Sequence, residues 1–155
     1  MLDLPKPIAS ALAPLFLAVP LETAMPSLLG SRPHHVELVE ALLRLPALAE
    51  RPDLHAGLWL YVDDLDRSHT VSQALEDATG SYWHGIMHRR EGDFSNSHYW
   101  MRRAARHPLR SQATTSEPDA LIDAVAAARG EDIPDLVARQ RAEWIALFAW
   151  CAGRG

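Results

Sequence analysis

The sequence is poor in cysteine, which disulfide bonds require, and in lysine, which is common on basic surfaces. Cys151 is the only cysteine among 155 residues, so no disulfide can form within the chain and nothing points to an oxidising compartment. Cys151 falls on an apolar helical stripe, which predicts a buried, unreactive thiol. Lysine occurs once, at Lys6, and the formal net charge is −5. This balance argues against nucleic acid as a partner.

A long apolar run is also missing. The stretch 8–21 is apolar, but it is shorter than the roughly 20 residues that a transmembrane helix needs, and Pro14 and Pro20 interrupt it. Asp3 offsets Lys6, so the basic start of a signal peptide is absent. We therefore expect this stretch to pack against the core of a cytoplasmic protein that has no membrane partner.

Helical periodicity dominates the chain, and no segment alternates convincingly as a strand. The length of 155 residues suits one domain. The sequence therefore predicts an all-α, single-domain helical bundle of about six to eight helices. Its parts are short Pro-interrupted helices in 1–33, a helix at 35–45, a signature region at 54–108, a polar loop at 111–116 and a C-terminal helical pair at 116–152.

Polar caps and glycines suggest the helix boundaries in the signature region. Helical patterns cover 54–79, 81–90 and 96–106. The first pattern is either one helix or two helices, with Ser68 as the cap of the second. Ser81 and Ser95 are the expected N-caps of the following helices, and Gly80 and Gly92 are the expected helix stops.

Basic residues concentrate in the part of the chain between residues 84 and 110. Six arginines there face only Glu91 and Asp93, so this part carries +4 and the remainder −9. A local basic patch on an acidic protein suits a small anionic ligand. The alternative is that these arginines pair with acidic residues from elsewhere in the fold.

The histidines of this region are spaced as metal ligands. His84 and His88 lie four residues apart on a predicted helix, so both imidazoles can reach one divalent ion such as Zn, Fe or Mn. His69 is the expected third ligand, and Gln73 is expected to orient an imidazole. The spacing differs from the H-E-x-x-H pattern of metalloproteases. The alternative is a hydrogen-bonded polar stripe that holds no metal.

A second group of residues suits an anionic ligand. Guanidinium groups bind phosphate and carboxylate oxygens through paired hydrogen bonds. The candidate ligand-binding residues are Arg89, Arg90 and Arg103, with Asn96, Tyr99 and Trp100 on the same side of the helix as Arg103. The alternatives are that Trp100 belongs to the core and that the first two arginines pair with acidic residues at 63–66.

Two carboxylates complete the candidate site. Glu91 and Asp93 follow the histidine pair directly, and neighbouring Arg and His residues could tune them as general acid and base. We therefore predict Glu91 and Asp93 as the catalytic residues of the site.

The region 57–108 resembles a family of uncharacterised bacterial proteins. The phrases that carry the resemblance are SHTVSQ and YWHGIMHRREGDFSNSHYW. No activity is established for that family, so the resemblance implies no function. It implies that the family signature includes His69, Gln73, His84, His88, Arg89, Arg90, Glu91, Asp93, Asn96, Tyr99 and Trp100.

These observations predict a metal-assisted hydrolase or lyase that acts on a small anionic substrate in a pocket lined by His and Arg. In an alternative reading, the protein is a non-catalytic module that binds an anionic metabolite. In a third reading, it is a helical interaction protein whose buried polar cluster only fixes the packing of the helices. The sequence does not indicate an oligomeric state.

Overall fold

The chain folds into helices, as predicted. The computed structural model describes residues 2–30, 32–110 and 118–154, which contain eight α-helices and no strand. The helices are α1 (Lys6–Ala18), α2 (Val36–Leu42), α3 (Pro52–Tyr61), α4 (Leu65–Ala74), α5 (Ala78–Glu91), α6 (Phe94–Arg103), α7 (Pro118–Ala128) and α8 (Pro134–Ala152). The predicted all-α bundle is confirmed, whereas the predicted loop at 111–116 lies outside the described residues.

The N-terminal helix is longer than the prolines suggested. Helix α1 runs without a break through Pro14, although proline removes one backbone hydrogen bond from a helix interior. Ile8, Leu12 and Leu15 on one face of α1 are buried in the core. Tertiary packing on both sides of Pro14 therefore outweighs its local cost. None of the helices in the described ranges is long and apolar enough to cross a membrane.

Three successive helices begin with an aspartate cap. The Asp64 carboxylate accepts a hydrogen bond from the Arg67 N–H at the start of α4 (3.1 Å). Asp77 and Asp93 make the same contact at the starts of α5 and α6, accepting from the N–H groups of Gly80 (2.8 Å) and Asn96 (3.1 Å). Each carboxylate satisfies a backbone donor that the helix leaves unpaired.

The serines predicted as caps have other positions. Ser81 and Ser95 lie inside α5 and α6, because the preceding aspartates already cap these helices. Ser68 lies inside α4, where its hydroxyl donates to the Ala56 carbonyl oxygen of α3 at 2.9 Å. Of the two alternatives for 54–79, the structure has the division into two helices, α3 and α4, and the cap of the second is Asp64.

The two glycines that flank α5 differ in role. Gly92 ends the helix with φ = 86°, a left-handed conformation that glycine adopts readily, as predicted. Gly80 is not a stop, since it lies in the first turn of α5. A Cβ atom at this position would lie 2.2 Å from the Leu75 carbonyl oxygen at the end of α4. Gly80 therefore permits the close approach of α4 and α5.

Helix α5 lies at the centre of the bundle. Every residue from Thr79 to Arg90 is buried, and the helix packs against α3, α4 and α6. Trp83 and Met87 belong to the main hydrophobic cluster, as the sequence suggested. Cys151 is also buried, as predicted, and burial raises the pKa of its thiol to about 12, which disfavours the reactive thiolate.

Candidate metal centre

The packing of α4 against α5 brings three histidines together. His84 and His88 lie one turn apart on α5, and His69 comes from the facing side of α4. One ligand nitrogen from each ring lies within 4.8 Å of the others. The structure thus assembles all three residues that the sequence predicted as metal ligands.

The ring arrangement is compact. The His69 ring centre lies 4.8 Å from that of His84 and 5.5 Å from that of His88, and both contacts are edge-to-face. The His84 and His88 rings are stacked at 4.8 Å. Zinc binds imidazole nitrogens at about 2.0–2.1 Å, so small movements of the side chains would bring the three nitrogens onto one ion.

His84 is the most unusual member of the cluster. Its side chain is 2% exposed, and neither ring nitrogen has a hydrogen-bond partner among the described residues. Burial, with smaller effects of His88 and His69, lowers its pKa to about 3, so the ring is neutral at pH 7. A buried polar group without a partner is costly, and it calls for an ion or an ordered water. A neutral imidazole is also the form that binds metal.

A carboxylate orients His88. The Glu91 Oε1 atom lies 2.5 Å from His88 Nδ1, one turn along α5. If Nδ1–H donates to Glu91, the lone pair of Nε2 remains for a ligand. Carboxylates orient metal-binding histidines in this way in many proteins. His88, Glu91 and Asp93 also form a second group of ligand atoms within 4.8 Å of one another.

Helix α6 supplies one wall of the cluster. The Trp100 ring stacks on the His84 ring at 3.8 Å with an interplanar angle of 13°. The Ser97 hydroxyl donates to the Gly85 carbonyl oxygen at 2.6 Å, which fixes α6 closely on α5. Trp100 is half-buried, so it is a boundary residue between core and solvent, which differs from the core position considered above.

Asp93 and Asn96 form a helix cap beside the histidine cluster, and Gln73 lies apart from it. Asp93 caps α6, and hydrogen bonds from the backbone and side chain of Asn96 lower the pKa of its carboxyl, so the group stays ionised. Asn96 is therefore occupied by the cap. Gln73 is exposed, and within the described part of the chain it makes no hydrogen bond to an imidazole. The hydrogen bond that we expected from Gln73 to an imidazole is instead made by Glu91, to His88.

Arg89 and Arg90 point into the protein interior. Arg89 is fully buried and donates to Glu143 on α8 at 2.7 Å. Arg90 is buried and contacts the carboxylate of Asp63 (2.5 Å) and the Leu60 carbonyl oxygen (2.9 Å). The alternative of internal ion pairs therefore holds for both arginines, but only Arg90 pairs with an acidic residue at 63–66, whereas the partner of Arg89 is Glu143. These contacts leave neither guanidinium exposed to a ligand. Ion pairs with carboxylates leave little capacity for a second anion.

Arg103 has the opposite environment. Its exposed guanidinium lies over the rings of Trp100 and Tyr99, with centroid distances of 5.4 and 5.8 Å. No carboxylate pairs with it within the described residues. Tyr99 is itself 43% exposed and meets Trp100 edge-to-face. Arg103, Tyr99 and Trp100 thus form one exposed surface beside the histidines.

The structure also shows a histidine contact that the sequence did not predict. His98 on α6 contacts Asp119 through Nδ1 (2.9 Å) and Asp123 through Nε2 (2.8 Å). The only sequence signal was the spacing of the two aspartates, which places both on one side of α7. Nothing in that spacing identified His98 as their partner.

Comparisons with known proteins found no match to this chain among protein-family models, curated proteins or solved structures. Any functional assignment therefore depends on the contacts described above.

Proposed function

We propose that His69, His84 and His88 hold a divalent metal ion and that the protein is a metal-assisted hydrolase or lyase for a small anionic substrate. The observation that carries this proposal is the convergence of three imidazoles around His84, whose two buried ring nitrogens lack a hydrogen-bond partner in the part of the chain that the structure describes. Three protein ligands leave a coordination position open, as in catalytic zinc sites. Zn²⁺ suits an all-imidazole ligand set, and Fe²⁺ or Mn²⁺ are the other candidates.

The chemistry of the site follows from this ligand set. A bound divalent ion lowers the pKa of a coordinated water and polarises a substrate oxygen. His69 is half-buried whereas His84 is buried, so a substrate approaches from the His69 side of the cluster. Glu91 holds the His88 ring in place through Nδ1. In this proposal Glu91 is a positioning residue, and Asp93 acts as a helix cap.

The direct test is metal content after purification without a histidine tag or chelator. We expect about one equivalent of metal in the wild type after incubation with Zn²⁺, Fe²⁺ or Mn²⁺. His69→Gln, His84→Gln and His88→Gln should each lose it. His98→Gln is the matched control, since this histidine contacts only Asp119 and Asp123 among the described residues. Absence of metal from the wild type, or its retention in all three variants, would refute the proposal.

A non-catalytic module that binds an anionic metabolite is the second candidate, and the exposed Arg103 beside an aromatic wall favours it. The two candidates differ in turnover. A binding module should raise its melting temperature with a phosphorylated or carboxylated metabolite by mass action, without consuming it. A hydrolase or lyase should consume the metabolite only in the metal-loaded form.

A further inference from the structure

Arg103 is the only arginine among the candidate ligand-binding residues that remains exposed. Arg89 and Arg90 are buried against acidic partners, whereas Arg103 is exposed and has no carboxylate partner within the described ranges. Its guanidinium lies over the rings of Trp100 and Tyr99, and one of its nitrogens, Nη1, makes a long hydrogen bond to the Tyr99 hydroxyl (3.5 Å). Within the described residues the other N–H groups at its edge have no hydrogen-bond partner. The edge of a guanidinium is the part that binds oxyanions.

Trp100 connects this guanidinium to the metal centre. The same indole ring stacks on His84 at 3.8 Å and lies 5.4 Å from the Arg103 Cζ atom. These two distances together are the upper limit for the separation of the His84 ring centre from Arg103 Cζ, which is short enough for one small molecule to contact both groups. The aromatic contacts with Trp100 and Tyr99 also restrict the long arginine side chain, which reduces the entropy lost when it binds an anion.

We propose that Arg103 is the anion-binding and specificity-determining residue of the metal site. This inference rests on the proposed function. The substrate class is then a small molecule with an oxyanion, either carboxylate or phosphate, separated by a short linker from the group that contacts the metal. The oxyanion binds the Arg103 edge, and the linker lies along the Trp100 ring.

The test uses Co²⁺-loaded protein and thiols that differ at their far end. The probes are mercaptopropionate, mercaptoethylphosphonate and the neutral mercaptopropanol, whose thiolates produce a charge-transfer absorption when they bind cobalt. Wild-type protein should bind at least one anionic probe about tenfold more tightly than the alcohol, as expected for one charge-assisted hydrogen-bonded pair. A preference for the phosphonate indicates a phosphate substrate, and a preference for the carboxylate indicates a carboxylate substrate.

Matched variants isolate the role of Arg103. Arg103→Gln should lose the preference for the anionic probe, and Arg103→Lys should keep part of it, since lysine retains charge without the paired donors. Arg102→Gln removes the same charge from the neighbouring exposed position and should behave as the wild type. Equal preference in Arg103→Gln and Arg102→Gln would overturn the inference, as would its absence in the wild type.

The two proposals fail in different ways. If the wild type binds cobalt and the histidine variants do not, the metal site stands whatever the thiol titrations show. If the wild type binds no cobalt, the metal site and the role of Arg103 are both refuted. Loss of anion preference in Arg103→Gln, with an unchanged cobalt spectrum before thiol is added, separates anion binding from damage to the fold.

Discussion

The hydrogen bond between His88 and Glu91 decides which nitrogen of the His88 ring faces a ligand. Glu91 is exposed and its contact lies within one helix, so it contributes little to the packing of the bundle. In the proposed site Glu91 would orient the His88 ring, because a hydrogen bond from Nδ1–H to Glu91 leaves the lone pair of Nε2 for the metal.

Glu91→Gln should therefore weaken metal binding while the fold is retained. We expect a loss of about 10- to 100-fold in Zn²⁺ affinity, the usual effect of removing such an orienting partner. Competition titration against a chromophoric chelator measures it. Glu76→Gln removes an exposed glutamate near the end of α4 and serves as the control. Unchanged affinity in Glu91→Gln would show that the His88 ring needs no orientation.

At the level of helices, Gly80 sets the distance between α4 and α5. The two helices together carry the three histidines of the candidate metal centre, since His69 lies on one helix and His84 and His88 on the other. A side chain at residue 80 would meet the Leu75 backbone, which cannot yield as a flexible side chain would. We expect such overpacking to destabilise the packing of α4 against α5.

Gly80→Ala should lower the free energy of unfolding by about 1–3 kcal/mol and weaken metal binding as well. Urea titration of the metal-free protein and zinc competition measure the two effects. Gly153→Ala is the control, because a Cβ there has ordinary contacts, with the nearest atom at 3.4 Å, and the backbone φ is negative. If Gly80→Ala matches Gly153→Ala in both measurements, the close approach of the helices is unimportant.

Helices α6 and α7 are joined by a pH-sensitive contact. Burial lowers the pKa of His98, but its hydrogen bonds to Asp119 and Asp123 outweigh this effect and raise the pKa above the ordinary value. The folded state therefore holds this proton more tightly than the unfolded state. The stabilisation is complete below the unfolded pKa of about 6.5 and disappears as the pH rises through the folded pKa.

Amide hydrogen exchange in α7 should accordingly lose protection as the pH rises above about 6.5, after correction for the intrinsic pH dependence of exchange. The change should be small, because Asp123 is 75% exposed. His98→Gln should abolish this pH dependence. The expectation fails if wild type and variant lose protection equally.

Some of these contacts follow from sequence and others do not. His84 and His88 share one helix, so their spacing alone predicted their proximity, and His69 followed from the face of α4 that turns inward. Arg89 was unpredictable, because its partner Glu143 lies 54 positions along the chain. The sequence predicts Gln73 as the orienting residue and Glu91 as a catalytic group, whereas Glu91 makes the contact with His88, because residue spacing does not specify side-chain hydrogen bonds.

At the scale of the whole molecule, the basic region is partly neutralised inside the fold. Arg89 pairs with Glu143, Arg90 with Asp63, and Arg110 with Asp119. Arg102, Arg103 and Arg106 remain exposed on or next to α6. Net charge predicted a positive patch, but only the tertiary structure shows that half of its arginines hold the helices together.

Breaking the Arg89–Glu143 pair should destabilise the bundle strongly. Glu143→Ala leaves a buried guanidinium without its carboxylate, and we expect a loss of about 3–5 kcal/mol in the free energy of unfolding. The double variant Arg89→Met with Glu143→Leu removes both charges and should recover much of this loss. Chemical denaturation of the single and double variants measures the coupling.

The same double variant separates structure from ligand binding. Since Arg89 is buried against α8, we expect metal binding and the anion preference of the folded double variant to match the wild type. If the double variant lost only its anion preference, Arg89 would have to be counted among the residues that bind the anion.

The aspartate caps also determine which length changes the chain can tolerate. Each cap fixes where its helix begins, and each ligand lies a set number of residues further on, from Asp64 to His69 and from Asp77 to His84. One inserted or deleted residue between cap and ligand would turn the imidazole by about 100° around the helix axis and move it off the shared face. Insertions and deletions within these two intervals are therefore incompatible with the histidine cluster, even where a substitution at the same position would be harmless.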